Sequence, residues 1–454
     1  MKVIEFYERA LTGKRVEEKE FDFKILPGKL RELIKKYDIA YNPEEPVPQD
    51  LAMAKRAFAA AVELLTEVGV YCRDTKSIIT IDEEEIKNAL RDAPTNHVIG
   101  EGAEAVDCYC RGIGDKRRPR LIGGPQGTPL SEENCIDILT SYAREPIDGL
   151  HTGAIQTLFG KRIRANTPIE LMVCHYEALW AREAVRRAGK PGLSLEGIMS
   201  GVTSEVQDAG DFAEGLRPCD LHVIAFSNEL KTNWEDLKKI VHNQNLGNIM
   251  EACCIPMLGG YSGGPEGTAI TAIAEVIQGY VMARPMSFAS GVASLRFYLS
   301  DRQAIWADCM IPLAFNSAGV DILLALYVGG TAGPGTEMLC DELAALTIAV
   351  TASGVSILCG AAGSQGAKMD YATGMESRIV YEVSRAAAGM NLGEANEIVN
   401  ELIGNYEETL KSGKSPVGKS FTECYERKLT PSREYVTLWQ KKKKGLEKIR
   451  LLFH

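Results

Sequence analysis

Apolar positions between residues 50 and 92 recur every three or four residues. Leu51, Ala54, Phe58, Ala61, Leu64 and Leu65 form one stripe, which predicts a helix capped by Asp50 and ended by Gly69. Asp82 followed by Glu85 has the form of a capping box and opens a second helix through Ile86 and Leu90, with a short extended segment at Ile78, Thr80 and Ile81 before it. Residues 1–115 therefore read as a helical elaboration packed on a larger domain at 116–454, which itself ends in a helical extension.

From about residue 120 the pattern changes to short apolar runs, each closed by glycine or a small polar residue and followed by a helical length. The runs lie at 121–122, 147–150, 193–195, 221–226, 249–258, 288–292, 322–328 and 355–359, with helical spacing at 168–188 and 268–282. Eight such alternations predict an α/β protein of the (β/α)8 TIM-barrel class with an N-terminal helical elaboration. The apolar stretch 343–362 is long enough to raise a membrane span. Its threonine, serine and glycine content favours a buried helix running into a buried strand.

In a barrel of this kind the active site forms where the strands end and the following loops converge. The stretch KPGLSLEGIMSG at 190–201 then stands out, because Leu193 and Leu195 make it a core strand and Glu196 is delivered at its end, just before Gly197 breaks the run. A carboxylate in that position must be paired, solvated or used. His222, Tyr261 and Tyr327 also fall at or near strand ends. The glycines around Tyr261 and Ser262 match neither a Walker loop nor a dinucleotide fingerprint, and read as tight turns that admit a large partner.

Composition narrows the picture. The chain has 454 residues, 45% hydrophobic content and a net charge of −10, with basic residues dispersed, which argues against a nucleic-acid surface. The lysine run at 441–444 reads as the solvated face of a terminal helix. The charged N-terminus lacks the apolar core of a signal peptide, so a cytoplasmic location and no membrane association are expected. The twelve cysteines are then expected to be reduced thiols, and no pair of them has the spacing of a structural zinc site. No metal is expected.

The chain also resembles the monomethylamine methyltransferase family of methanogenic archaea. The resemblance rests on GVYCRDT at 69–75, GGPQGTPLSE at 123–132, AGKPG at 188–192, NELK at 228–231, PMLGGYSGG at 256–264, AGPGTEM at 332–338, TGMESR at 373–378 and GKSFTECY at 418–425. It implies a TIM barrel, a homohexamer, and transfer of a methyl group from an amine to the Co(I) corrinoid of a separate cognate protein. No cofactor bound tightly by the chain itself is implied. Family members place pyrrolysine in the barrel mouth, and through the AGKPG anchor that position is Glu196 here. The family's glutamate before the GGY loop falls on Cys253, its glutamine on the seventh strand on Tyr327, and the tyrosine two residues later on Gly329.

The resemblance thus implies that the frame is kept while the substrate-facing set is replaced. Glu196 cannot form an imine adduct, but it can attract a cationic ammonium or exchange a proton with a leaving group. Tyr327, Tyr261 or Phe288 can offer a ring face to a methylated cation, and a quaternary or otherwise activated amine suits this set. The expected site comprises Glu196 as the catalytic residue, with Tyr327, Cys253, Tyr261, His222, Gly329 and Glu337 around the substrate. Other readings of the same residues stay open. Glu196 pairs with a basic side chain, His222 and Cys253 are core, Glu337 caps a helix, and the chain is either a barrel lyase or hydrolase with Glu196 as general acid or a non-catalytic paralogue.

Overall fold

The computed structural model describes residues 2–426 and 429–453. Its centre is a closed parallel barrel of eight strands. In chain order these are β1 (Arg120–Gly123), β2 (Gly149–His151), β3 (Ser194–Glu196), β4 (Leu221–Ala225), β5 (Ile249–Cys253), β6 (Ser287–Ser290), β7 (Leu324–Gly329) and β8 (Ile357–Ala362). Each of the eight apolar runs becomes one of these strands, and β8 pairs with β1 to close the ring. The strands read as apolar runs because they are covered on both faces, by the barrel interior and by an outer layer of helices.

The outer layer departs from regular alternation at one place. Helices follow seven of the strands, whereas β3 runs into a loop with only a 3-10 segment, Ser204–Gly210, before β4. The strand that carries Glu196 is thus followed by the least regular connection in the barrel. Its position is fixed instead by a buried polar knot. Arg182, on the helix Pro168–Arg187 that precedes β3, pairs with Asp220 and donates to the carbonyls of Leu193 (3.1 Å) and Gly215 (2.9 Å). Asp220 in turn accepts from the Leu195 and Arg217 amides at 2.9 and 2.6 Å.

Buried acids on the outer helices hold the loops of the C-terminal rim in a similar way. Glu177 accepts from the Met199 and Ser200 amides, both at 2.8 Å, Asp308 from Val292 at 2.7 Å, and Glu342 from Thr331 and Ala332, both at 2.9 Å. Each bond satisfies a backbone N–H that the end of a strand leaves without a ladder partner.

The N-terminal elaboration follows its sequence pattern. In α1 (Leu51–Val68) the Asp50 carboxylate accepts from the Met53 amide at 2.9 Å, and Gly69 ends the helix at φ 71°. Its alanine-rich buried face packs on α2 (Pro265–Met282) and α3 (Arg302–Ala318), two helices of the barrel layer. The capping box at Asp82 and Glu85 forms. The stretch 343–362 divides into the helix Glu337–Ala352 and β8, both buried, and among the described residues no helix is long and apolar enough to cross a membrane. All twelve cysteines are free thiols.

One expectation needs correction here. The lysines at 441–444 do not form a freely solvated face, since Lys441 bonds to Glu337 (2.7 Å), Lys442 to Asp341 (2.6 Å) and Lys443 to Glu382 (2.8 Å). The terminal helix Arg433–Lys448 is tethered to the barrel layer through those charges.

Candidate active site

Glu196 is the last residue of β3, and its side chain points into the barrel, where it is completely buried. Gly197 follows at φ 61°, and any side chain there would strike Met199 and Val223, so glycine is the residue that allows the chain to turn away immediately after the carboxyl. Among the described residues neither carboxyl oxygen of Glu196 accepts from an N–H or hydroxyl donor, its hydrogen-bonding neighbour is the Glu251 carboxyl, and no lysine or arginine acts on it. The reading in which Glu196 forms a salt bridge with an arginine is thereby corrected. Its neighbours are instead another acid, a thiol and a neutral histidine.

The second acid is Glu251, on β5, also completely buried. The strand period of two puts Glu251 and Cys253 on the same inward face, with Glu251 one layer deeper. Glu251 accepts a 2.5 Å hydrogen bond from Ser287 on the neighbouring strand. Carboxyl oxygens of Glu196 and Glu251 and the sulfur of Cys359 on β8 lie within 4.8 Å of one another. Burial, reinforced by the Glu251 charge, holds the Glu196 carboxyl well above the usual range, and burial raises Glu251 as well. The two carboxyls are coupled, and their burial together favours keeping a proton on the pair.

Around this pair the barrel end is closed by aromatic and sulfur groups. Burial pushes the Cys253 thiol up to about 12, and its sulfur lies 3.3 Å from the Tyr327 hydroxyl. The Tyr327 phenol is likewise held well above its normal value. His151, at the end of β2 beside Glu196, is pushed down to about 4 by burial and is neutral. Its Nδ1 donates to the Thr152 carbonyl at 2.7 Å, which leaves the Nε2 lone pair facing Glu196 Oε1 at 3.7 Å. The His151 and Tyr327 rings meet edge to face at 6.5 Å.

The structure thus brings together Glu196, Cys253 and Tyr327 of the expected residues. Gly329 ends β7 two residues beyond Tyr327, and a Cβ there would lie 2.7 Å from the Tyr298 ring. The remaining expectations do not converge. His222 lies at the start of β4 on the outer side, hydrogen-bonded to Asp211, the Arg217 carbonyl and Asn248. Tyr261 sits on a half-exposed loop against Phe23 and Lys231, Glu337 pairs with Lys441 at the surface, and Phe288 packs outward on Gly279 of α2.

Sequence reasoning missed Glu251, Cys359 and His151. The signal for Glu251 was present in the alternation IMEAC at 249–253, which places the acid and Cys253 on one face of a core strand. His151 and Cys359 sit within or at the end of apolar runs, with no local pattern that marks them.

A pair of acids buried without a cation leaves a signature in stability. The Glu196 carboxyl has a folded pKa above its unfolded value of 4.5, so its contribution is fully present below that value and is lost as pH rises toward the folded pKa. Glu196→Gln removes this slope. In metal-free protein the variant is expected to be as stable as the parent near pH 5 and more stable by about 1–3 kcal/mol at pH 8, measured by urea unfolding across pH. A constant difference over that range would show that the Glu196 carboxyl ionises in the folded protein as it does in the unfolded chain, with no raised pKa.

Comparison with known proteins agrees with this arrangement in its frame. A family model described as Monomethylamine methyltransferase MtmB matches residues 1–451. Monomethylamine methyltransferase MtmB2 of Methanosarcina acetivorans is 34% identical over 452 residues, covering 99% of this chain and 98% of the relative. The MtmB of Methanosarcina mazei is also 34% identical, over 451 residues with the same coverage. The crystal structure of the Methanosarcina barkeri monomethylamine methyltransferase superposes with a TM-score of 0.96 at 32% identity, covering 99% of this chain and 98% of that one. A solved hydroxylamine complex of MtmB superposes equally well, with a TM-score of 0.96.

Proposed function

Since the chain belongs to the monomethylamine methyltransferase family, we propose that it moves a methyl group from a methylated amine to the Co(I) corrinoid of a cognate partner protein. The observation that carries the reading is Glu196, a buried carboxyl at the C-terminal end of a strand of the family barrel, with no basic partner and coupled to Glu251. With one proton between them the pair holds a single negative charge in a water-excluded site, where electrostatic attraction is far stronger than in solvent. A cationic methyl donor placed there neutralises it.

Tyr327 offers its ring to such a cation, worth about 0.5–2 kcal/mol. A quaternary nitrogen is already cationic and needs no adduct with the protein. A quaternary or otherwise activated amine is therefore the preferred donor. The C–N bond breaks with its electron pair kept by nitrogen, so a quaternary donor leaves as a neutral amine and needs no proton. For a donor that leaves with a proton demand, the protonated carboxyl of the pair is in place to supply it. The corrinoid, as the second substrate, supplies the nucleophilic electron pair that accepts the methyl group.

Glu196 is fully buried, and Tyr327 and Cys253 are nearly so. Access to the pair therefore requires movement of the side chains that cover it, Tyr327 among them. A homohexamer is the assembly we expect, by the same family reading.

Glu196 stands at the position we assign to pyrrolysine in relatives, and a carboxyl does not capture amine-type nucleophiles. Incubation with hydroxylamine is expected to leave the intact mass of this chain unchanged, and a stable adduct at Glu196 would contradict the assignment. The function itself is tested by incubating the protein with reduced corrinoid protein and a panel of primary to quaternary methylamines, then quantifying the demethylated amine. No demethylation of any amine would overturn it. The raised pKa of Glu196 also suits a general acid of a barrel lyase or hydrolase, a reading favoured only if turnover of an amine proceeds without the corrinoid protein.

A further inference from the structure

We infer that Glu196, Glu251 and Cys359 form a binding site for one divalent transition-metal ion, zinc by its donor chemistry, with the neutral His151 imidazole beside Glu196. The inference rests on the preceding reading for what the site does, but not for whether the metal binds. Its geometric basis is the mutual separation of no more than 4.8 Å between the two carboxyl oxygens and the Cys359 sulfur. Three atoms so placed share a centre no more than about 2.8 Å from each, against about 2.0–2.3 Å for zinc–oxygen and zinc–sulfur bonds. A contraction of about half an ångström, within rotamer adjustment of two glutamates, completes the set.

Three independent features point to a cation and not merely to a polar core. Among the described residues both oxygens of Glu196 and Oε1 of Glu251 are buried and accept from no donor group, so apart from a proton shared between the two acids the cluster presents unsatisfied lone pairs. No lysine or arginine is among the groups acting on Glu196, Glu251 or Cys359. His151 is oriented as metal-ligating histidines are, with Nδ1 donating to a backbone carbonyl at 2.7 Å and the Nε2 lone pair turned to Glu196.

An ammonium ion would use only the oxygens of this cluster. A thiol adds nothing to ammonium recognition, but with two carboxylates it makes the mixed O and S set that favours zinc over magnesium or calcium. The contrast with the other acidic group is direct. Asp211 also lies in a cluster, with Asp208 and His242, yet its oxygens are already bonded to His222, His242 and Asn248.

Zinc held by two carboxylates and a thiolate leaves the cluster with one negative charge, the same as the carboxyl pair sharing one proton. Attraction for a cationic methyl donor is therefore kept. What changes is the end of the reaction, because the lone pair left on the departing amine nitrogen when the C–N bond breaks gains an electrophile at an open coordination position. That interaction exists only as the bond breaks, which is where it accelerates transfer.

The test is metal binding by the full chain, read without activity. Metal-free protein is titrated with zinc chloride and followed by calorimetry in buffers of different ionisation enthalpy, with elemental analysis after desalting. We expect about one zinc per chain and release of about two protons, one from the carboxyl pair and one from Cys359. Glu196→Gln should retain less than about a tenth of an equivalent. With cobaltous ion as the spectroscopic substitute, the parent should show a thiolate-to-metal charge-transfer band that Cys359→Ser lacks, while thermal melting confirms that both variants fold. Zinc uptake by the parent no greater than by folded Glu196→Gln overturns the inference, as does a charge-transfer band that survives Cys359→Ser. If metal-free protein transfers methyl groups as fast as zinc-loaded protein, the metal's role fails and the methyltransferase reading stands. If zinc binds and no amine is demethylated, the site stands and that reading fails.

Discussion

Glu196→Gln is expected to lower kcat/KM for methyl transfer by about 10²–10³-fold while the protein folds normally, because it removes the charge that holds and discharges the donor. Glutamine keeps the size and the hydrogen-bonding ends of the side chain, so the loss cannot come from a cavity. The site surrounds Glu196 with groups that cannot substitute for it. Glu251 remains, but without Glu196 its proton has no second carboxyl to share, and burial drives it to the neutral form. The same substitution raises stability at pH 8, so activity and stability should move in opposite directions in one variant. A variant that loses both would show that Glu196 is structural.

Arg182→Ala is expected to destabilise the fold by about 3–5 kcal/mol, measured by urea unfolding at pH 7. The guanidinium is almost fully buried and ties the Leu193 and Gly215 carbonyls to the Asp220 carboxylate. Removing it leaves Asp220 as a buried charge with its cation gone, and leaves two carbonyls without their donor. The consequence extends to the site, because Asp220 holds the Leu195 amide, next to Glu196, on a strand whose following loop has no helix to fix it. Arg182→Met with Asp220→Leu should recover much of the stability by removing both charges together. A loss below about 1 kcal/mol in Arg182→Ala would mean that water replaces the lost contacts.

The two variants separate what a sequence can reveal from what it cannot. The barrel was legible because its strands are buried on both faces and therefore appear as unbroken apolar runs, all eight of which form. Glu196 was legible for a related reason: an acid at the end of such a run is rare enough to mark itself. The partner groups were not. Glu251 and Cys359 become neighbours of Glu196 only because strands 55 and 163 residues further along the chain curve round to the same point of a closed ring, and no local pattern encodes that distance. His222 shows the converse error, since a strand-end histidine faces inward or outward according to a one-residue register that the apolar run 221–226 leaves open.

On the reading proposed above, a carboxyl pair in place of an electrophilic side chain has a physical logic. An electrophile that captures an amine must be present in every turnover, whereas a dry negative site binds any donor that is already cationic. Glu196 and Glu251 are costly to bury, and the chain keeps them where they have neither a salt bridge nor a hydrogen bond from a basic group. That cost is retained only where the charge is used.

Single-turnover absorbance of the reduced corrinoid partner, mixed with this protein and one methylated amine at a time, measures the central claim most directly. The account predicts conversion to the methylated corrinoid spectrum with at least one donor, fastest with a quaternary or otherwise activated amine, and a loss of that conversion in Glu196→Gln. An unchanged spectrum with every donor, or equal rates for the parent and Glu196→Gln, would contradict it.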